Sequence, residues 1–240
     1  MLWSPEPVAA LAGRPRCCWR VAVNFARRAD AAHEAVQEIK RQGGSAFAIQ
    51  ADISNEDEVV AMFACIDRQP GRLATLANNA GILFQQASLE QLTAARINQV
   101  FATNVTGCFI CCREAVKRMA YHHGGCGGAI VNVSSAAARL GSPDEYVDYA
   151  ASKGAMDTLT KGLALEVAAQ GIRVNGVRPG FIYTEMHADG GEPRRVDRVA
   201  AAIPMQRGGQ PSEIASAIGW LPGDDAPYIT GSIIDAAGGR

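Results

Sequence analysis

A chain of 240 residues, 48% apolar and 20% charged, has enough material for one large domain with a sizeable core. Its formal net charge of −1, with no basic run, gives no electrostatic case for nucleic acid or for an anionic membrane surface. No window approaches about 18 consecutive apolar residues, so no membrane-spanning helix is expected. The opening MLWSPEPVAALAGRPR lacks the basic start and unbroken apolar stretch of a secretory signal, which leads to the expectation of a cytoplasmic protein.

Residues 21–25 (VAVNF) form a short run rich in β-branched residues and read as a strand. Residues 30–41 place Ala31, Ala35, Val36 and Ile39 at helical spacing, and Gly43-Gly44 ends that helix. Residues 45–52 read as a second strand. Ser54-x-x-Asp57 has the form of a capping signature for a helix reaching about residue 69. A third strand is expected at 72–77, a long helical region at 89–120, a glycine-rich loop at 124–128 and a strand at 130–134. A helix at 146–170, a strand at 172–177, helices at 193–203 and 212–221 and a last strand at 229–235 follow. Strand alternating with helix predicts an α/β fold with a parallel, doubly wound sheet in a single domain.

The seven cysteines, Cys17, Cys18, Cys65, Cys108, Cys111, Cys112 and Cys126, are an odd and scattered set that fits a reducing compartment. Cys108-x-x-Cys111 has metal-like spacing, but it lies in a helical run with no second pair, so small buried hydrophobes are expected and no metal. His122-His123, before a glycine-rich turn, is expected at the surface.

The chemistry concentrates in Ser134 to Lys153, SSAAARLGSPDEYVDYAASK. Tyr149 and Lys153 stand four apart, so on a helix they share a face. An ammonium near a phenol favours the phenolate and lowers its pKa, preparing Tyr149 to exchange a proton with an alcohol or carbonyl oxygen. Ser135 ends an apolar strand, and in open α/β sheets ligands bind at that end. Tyr146 has Ala150 four residues on, which removes it as the phenol.

NNAG at 78–81, NVTG at 104–107, VNVSS at 131–135, YAASK at 149–153 and RPGFIYT at 178–184 stand in the order and approximate spacing of the short-chain dehydrogenase/reductase family. From about Val21 onward the chain resembles that family, most of all its glucose 1-dehydrogenase-like and 3-oxoacyl-carrier-protein-reductase-like bacterial branch. The resemblance implies a Rossmann-like fold and an NAD(P)-dependent oxidoreductase moving a hydride between cofactor and a small alcohol or ketone. It implies Ser135 polarising the carbonyl (with Ser134 as a lesser candidate), Tyr149 as general acid, Lys153 lowering its pKa and holding the ribose, and Asn104 placing a relay water. It further implies Asn78, Asn79, Ala80 and Gly81 beneath the adenosine ribose, Asp52 accepting from the adenine amine with Ile53 beside the ring, Pro179 and Gly180 lining the nicotinamide end, Ile182 at the carboxamide and Thr184 at a phosphate. Residues 185–203 look like a lid that closes over substrate, and self-association as a tetramer or dimer through the helices around Asn104 and Tyr149 is expected.

The chain departs from the family in two places. Ser135 precedes Tyr149 by 14 residues, where many relatives have 13. The family's opening strand and TGxxxGxG turn are absent, and residues 1–20 form an atypical segment ahead of the domain at 21–240. Were residues 8–12 a strand, the seven residues from Arg14 to Arg20 would be too few for a crossover helix, which needs at least about 10–12. The first βα unit is therefore expected to be missing or replaced, through a displaced reading frame or start, or with 8–12 as a surrogate strand. Its loss would leave both neighbouring strands with unpaired edges. At the end of the strand at 21–25, which corresponds to the family's second strand where cofactor choice is read, Asn24-Phe25-Ala26-Arg27-Arg28 offers no acid and two arginines, favouring NADP(H) over NAD(H). A non-catalytic, cofactor-deficient relative or a damaged gene product is the alternative.

Overall fold

A computed structural model describes residues 19–240. Residues 1–18, on which the surrogate strand at 8–12 and most of the atypical segment fall, lie outside the described residues.

The described elements run β1 (Arg20–Phe25), α1 (Ala29–Arg41), β2 (Ser45–Gln50), α2 (Glu56–Asp67), β3 (Thr75–Asn78), α3 (Ala94–Phe101) and α4 (Gly107–Met119). Then come β4 (Gly128–Val133), α5 (Ala137–Leu140), α6 (Val147–Val167), β5 (Ile172–Pro179), α7 (Met186–Asp189), α8 (Arg195–Val199), α9 (Pro211–Trp220) and β6 (Ile233–Ala236). Every strand pair is parallel, as the alternation of strand and helix requires.

The sheet is divided. Among the described residues β1 pairs with β2 alone, while β3, β4, β5 and β6 form a four-stranded sheet in that order. Among the described residues no strand joins β1 to β3, and this is the position at which the family's opening strand was expected. With β1 and β3 left at open edges, as the missing first βα unit implies, the described strands therefore form two parallel blocks. Each has its own apolar interior: Val23, Ala32, Val36 and Ala46 pack together in the β1–α1–β2 block. A larger cluster including Phe63, Leu76, Met119, Ile130 and Met156 fills one face of the four-stranded block. Val131, Val177, Ile214, Ile218 and Leu221 fill the other, under α9.

Two local expectations also shift. Helix α2 is capped by Asn55, whose side chain accepts from the backbone N–H groups of Asp57 and Glu58. Ser54 instead donates its backbone N–H and hydroxyl to Asp52 Oδ1, so the capping role moves one residue on. The helical region 89–120 is not continuous: a 3₁₀ turn (Leu89–Gln91), a break at Leu92 and Thr93, α3, a π-helical turn (Ala102–Thr106) and α4 follow one another. Thr93 caps α3 through its hydroxyl, which is why the break falls there. Cys108, Cys111 and Cys112 are buried and free, as expected of small hydrophobes, and His122 and His123 are exposed. Among the described residues no cluster suited to a metal occurs, and no helix is long and apolar enough to cross a membrane.

Candidate active site

The site lies at the carboxyl ends of β4 and β5, beside the first turns of α6. Helix α6 enters on Asp148, an acid in the first turn where the helix dipole favours it. Asp148 is itself held by Arg96 of α3 through Nε at 2.7 Å and Nη2 at 3.3 Å, and Arg96 also donates to the carbonyl of Gln85 at 2.7 Å. This buried pair fixes the start of α6, and with it the direction in which Tyr149 leaves the helix.

The loop from Ser135 to Tyr149 accommodates its 14-residue spacing with a left-handed run. Gly141 has φ 75°, and Ser142 and Asp144 have φ 46° and 58°. Backbone strain of this kind at non-glycine residues is concentrated at functional sites.

Tyr149, Lys153 and Ser135 converge. Lys153 Nζ sits 5.6 Å from the centre of the Tyr149 ring, so the two share a helix face as their spacing predicts. Ser135 hydrogen-bonds the Tyr149 side chain. Ser134, the lesser candidate, is buried with its hydroxyl given to the Lys153 carbonyl at 3.1 Å, which leaves Ser135 as the hydroxyl facing the phenol.

The electrostatics differ from the sequence expectation. Burial pushes the Tyr149 phenol up to about 12, against which the Ser135 hydrogen bond and the Arg195 guanidinium pull it down. Burial drives Lys153 down to about 8, opposed by Cys108 and Asp157. Lys153 Nζ is turned toward the end of β4, donating to the Val133 carbonyl at 2.8 Å. Its charge is therefore directed at a carbonyl, and the acidifying influences on Tyr149 come from Ser135 and from the lid.

Asn104 sits in the π-helical turn, the kind of irregularity that clusters at functional sites. Both its N–H groups and one acceptor position are engaged: Oδ1 accepts from Ile82 N–H at 2.7 Å, and Nδ2 donates to the Ile82 carbonyl at 2.9 Å and to Ser152 Oγ at 3.0 Å. Gly81 fits beneath it with no room to spare, since a Cβ there would lie 3.3 Å from Lys153 Nζ and 3.4 Å from Asn104 Oδ1. Ile82, Gly81, Asn104 and Lys153 thus form one contiguous wall.

The other expected residues divide. Asn78 points into the core, donating to Asn132 Oδ1 at 2.9 Å and to Cys112 Sγ at 3.2 Å, so its side chain clamps β3 to β4. Asn132 continues the chain to Thr160 Oγ1 at 2.9 Å, and Thr160 to the Met156 carbonyl at 2.8 Å. Asn79 and Ala80 stand in the loop between Asn78 and Gly81. Ile53 is buried in the main apolar cluster, with partly buried Asp52 beside it at the entrance to α2. Pro179 and Gly180 end β5 against the chain's last strand. A Cβ on Gly180 would stand 2.7 Å from Ala237 Cα, so only glycine lets these backbones pass. Ile182 is buried and its carbonyl is bonded to His187 Nε2 at 2.9 Å, while Thr184 is exposed.

The stretch 185–203 does cover the site. Tyr146 donates its hydroxyl to the Gly190 carbonyl at 3.0 Å, and Arg195 of α8 reaches Glu145 in a close ion pair. A cavity of about 360 Å³ lies at the lid's root, lined by Thr184, His187 and Val196 among others, but neither Ser135 nor Tyr149 borders it. Glu145, Arg195, His187, Ser152, Asn132 and Thr160 escaped the sequence reading. Asn132 and Ser152 stand inside the motifs VNVSS and YAASK, Glu145 in the loop leading to Tyr149, and His187 and Arg195 in the stretch 185–203. None had a role assigned, because partners such as Asn78 for Asn132, Asn104 for Ser152 and Glu145 for Arg195 are distant in sequence.

A nicotinamide cofactor fits one half of this arrangement. Around Gly81, Asn104, Tyr149 and Lys153 stand a close backbone approach, a phenol and an ammonium, the groups a ribose and a nicotinamide require. At the phosphate end, the gap between β1 and β3 holds no glycine-rich turn leading into a helix among the described residues.

The family model described as enoyl-(acyl carrier protein) reductase matches residues 19–240. The chain is 68% identical over 222 residues to the uncharacterized oxidoreductase YgfF of Escherichia coli, covering 92% of this chain and 90% of that one. It is 38% identical over 221 residues to the 3-oxoacyl-[acyl-carrier-protein] reductase FabG of Staphylococcus aureus, covering 92% and 87%. A solved dehydrogenase/reductase from Sinorhizobium meliloti superposes with a TM-score of 0.81 at 32% identity, covering 92% of this chain and 84% of that one.

Proposed function

The chain belongs to the short-chain dehydrogenase/reductase family and is an oxidoreductase, and from that premise we propose that it reduces a small ketone, or oxidises the matching alcohol, with Tyr149 as proton donor or acceptor. The observation that carries this reading is the convergence of Ser135, Tyr149 and Lys153 on one buried face beside the Gly81–Asn104 wall. The same convergence speaks against a cofactor-deficient, non-catalytic relative.

Bound nicotinamide supplies the hydride and accepts it in the reverse direction. The Ser135 hydroxyl donates to the substrate carbonyl oxygen and holds it against the phenol. Tyr149, neutral at physiological pH because burial holds its pKa high, gives its proton to that oxygen as charge develops there. The Ser135 hydrogen bond and the Arg195 guanidinium favour the phenolate left behind. Lys153 holds the nicotinamide ribose and returns a proton to Tyr149. A relay water placed by Asn104 would bond to the acceptor position left on Oδ1 or to the backbone of the π-helical turn, since both side-chain N–H groups are engaged. With cofactor bound, Ile182 would meet the carboxamide, Thr184 a phosphate, and Asp52, Ile53, Asn79, Ala80 and Gly81 the adenosine side, with Pro179 and Gly180 at the nicotinamide end. Asn78, whose side chain is held in the core by Asn132, would contribute there through its backbone.

Arg27 and Arg28, with no acid in the turn after β1, favour NADP(H). Arg28 is paired with Glu185 at the start of the lid, a partner that a 2′-phosphate would replace. Initial rates with NADPH should exceed those with NADH, and faster turnover with NADH would reject the preference. Phe109 on α4 and Leu165 on α6 are exposed, in keeping with self-association through these helices. In enzyme with demonstrated ketone reduction, Tyr149→Phe should lower kcat by at least about a hundredfold, the usual share of positioned proton transfer. Unchanged turnover in a folded variant would end the reading.

A further inference from the structure

The lid meets the loop before α6 at a fully buried point. Gly190, just past the end of α7, is buried, and its carbonyl accepts from the Tyr146 hydroxyl at 3.0 Å. Tyr146, three residues before Tyr149, is 2% exposed and is among the largest buried side chains of the described residues.

This contact accounts for the glycine. Gly190 has φ −75° and ψ 0°, a turn conformation that most residues adopt, so its backbone angles do not require the absence of a side chain. Space does: a Cβ would lie 2.6 Å from the Tyr146 hydroxyl oxygen, 2.8 Å from Leu83 Cδ1 and 3.2 Å from Tyr146 Cζ. The lid backbone is thus fitted into a notch that Tyr146 and Leu83 build from two segments distant in the chain.

The contacts that hold the lid are not equal. At its rim Gln86 donates to Glu192 at 2.8 Å, and Arg198, half exposed, is paired with Glu192 and at 3.3 Å with Glu145. Water can take the place of either partner in such exposed contacts. The Gly190 carbonyl has no such recourse while the lid is down, because without the hydroxyl a buried acceptor is left bare. Arg195 of α8 adds to the same point, lying over the Tyr146 ring at 4.8 Å and pairing with the adjacent Glu145.

We propose that Tyr146 is a positioning residue whose hydroxyl latches the lid at Gly190, holding residues 186–199 over bound substrate and giving way when product leaves. The proposal deepens the reading above. It rests on the lid covering the site and not on Tyr149 as proton donor. Neither the family model nor the names of the relatives assign Tyr146 or Gly190 a role.

Two substitutions test the latch from its two sides. Tyr146→Phe keeps the ring beneath Arg195 and removes the hydroxyl alone, and Gly190→Ala fills the notch; the second serves by itself if the first does not fold. Hydrogen exchange of the backbone amides at 186–199 is followed by mass spectrometry in the full-length protein without substrate, in each variant and in the double variant. Each single change should speed exchange there about tenfold, as for one buried hydrogen bond lost, and leave β4 and β5 as protected as before. The double variant should be no faster than the quicker single one, because both act on one contact. Exchange at 186–199 that neither variant alters, or effects that multiply in the double variant, would overturn the proposal. In enzyme with demonstrated ketone reduction, Tyr146→Phe should raise KM for the ketone about tenfold while kcat holds or rises, since the lid closes less readily and opens more easily. A fall in kcat at unchanged KM would equally overturn it. Exchange is read without turnover, so its failure leaves the Tyr149→Phe result standing, and unchanged turnover in Tyr149→Phe leaves the exchange result standing.

Discussion

Replacing Lys153 by methionine should stabilise the protein at neutral pH while removing a residue the proposed chemistry requires. Burial lowers the Lys153 pKa from its ordinary 10.5 to about 8. Because the folded-state value is depressed, the folded state penalises the protonated amine. That penalty is fully present below pH 8 and is relieved as the pH rises through 10.5, where both folded and unfolded chains hold a neutral amine. The gap corresponds to roughly 3 kcal/mol. Methionine has a similar length and no charge, but it gives up the bond from Nζ to the Val133 carbonyl, which costs about 1 kcal/mol. Lys153→Met should therefore gain about 2 kcal/mol at pH 6–7 and lose about 1 kcal/mol against the parent above pH 10.5. Urea denaturation of both proteins at pH 6.5 and pH 10.5, followed by circular dichroism and compared by midpoint at equal slope, measures the crossing. A difference between them that does not change with pH would refute the reasoning, because it would mean that the buried amine is not where the cost lies.

Two further substitutions probe what holds the site in place. Arg96→Ala strands the Asp148 carboxylate, whose side chain is 2% exposed, and should cost about 3–5 kcal/mol of stability in denaturant melts. A loss under 1 kcal/mol would show that Asp148 finds another partner. Gly180→Ala drives a methyl group into the backbone at Ala237 and should cost about 1–3 kcal/mol in the same assay. An unchanged midpoint would show that the end of β5 can yield.

The alternation of strand and helix was legible because each apolar run has a single period, and all six strands and the principal helices fall where those periods lie. Tyr149 and Lys153 were legible for the same reason, since four-residue spacing on a helix is a local fact. The helix cap was misplaced because Ser54 and Asn55 are both good caps by type, and the choice is made by Asp52, which engages Ser54 first. An interruption of the long helical region at Asn104 was legible because an amide there competes for backbone hydrogen bonds. Its form as a π-helical turn was not, since Ile82 and Ser152, from other parts of the chain, hold that amide. The source of acidity at Tyr149 was misjudged on similar grounds. Sequence places Lys153 beside the ring, but only packing shows its ammonium drawn to Val133 and an arginine of the lid favouring the phenolate. Asn78 was expected beneath a ribose because the NNAG motif at 78–81 resembles the family's, while its side chain is bonded in the core to Asn132 and Cys112, partners that lie far off in the sequence.

The buried amide chain from Asn78 through Asn132 to Thr160 crosses β3, β4 and α6 in the driest part of the molecule. A slip of either strand by one position would turn its amide to the opposite face and strand several hydrogen-bonding atoms together, a cost of a few kcal/mol for a single misstep. It therefore works as an alignment pin: misassembled pairings are rejected long before any substrate arrives, and the reacting groups inherit their spacing from a lock set while the chain folds.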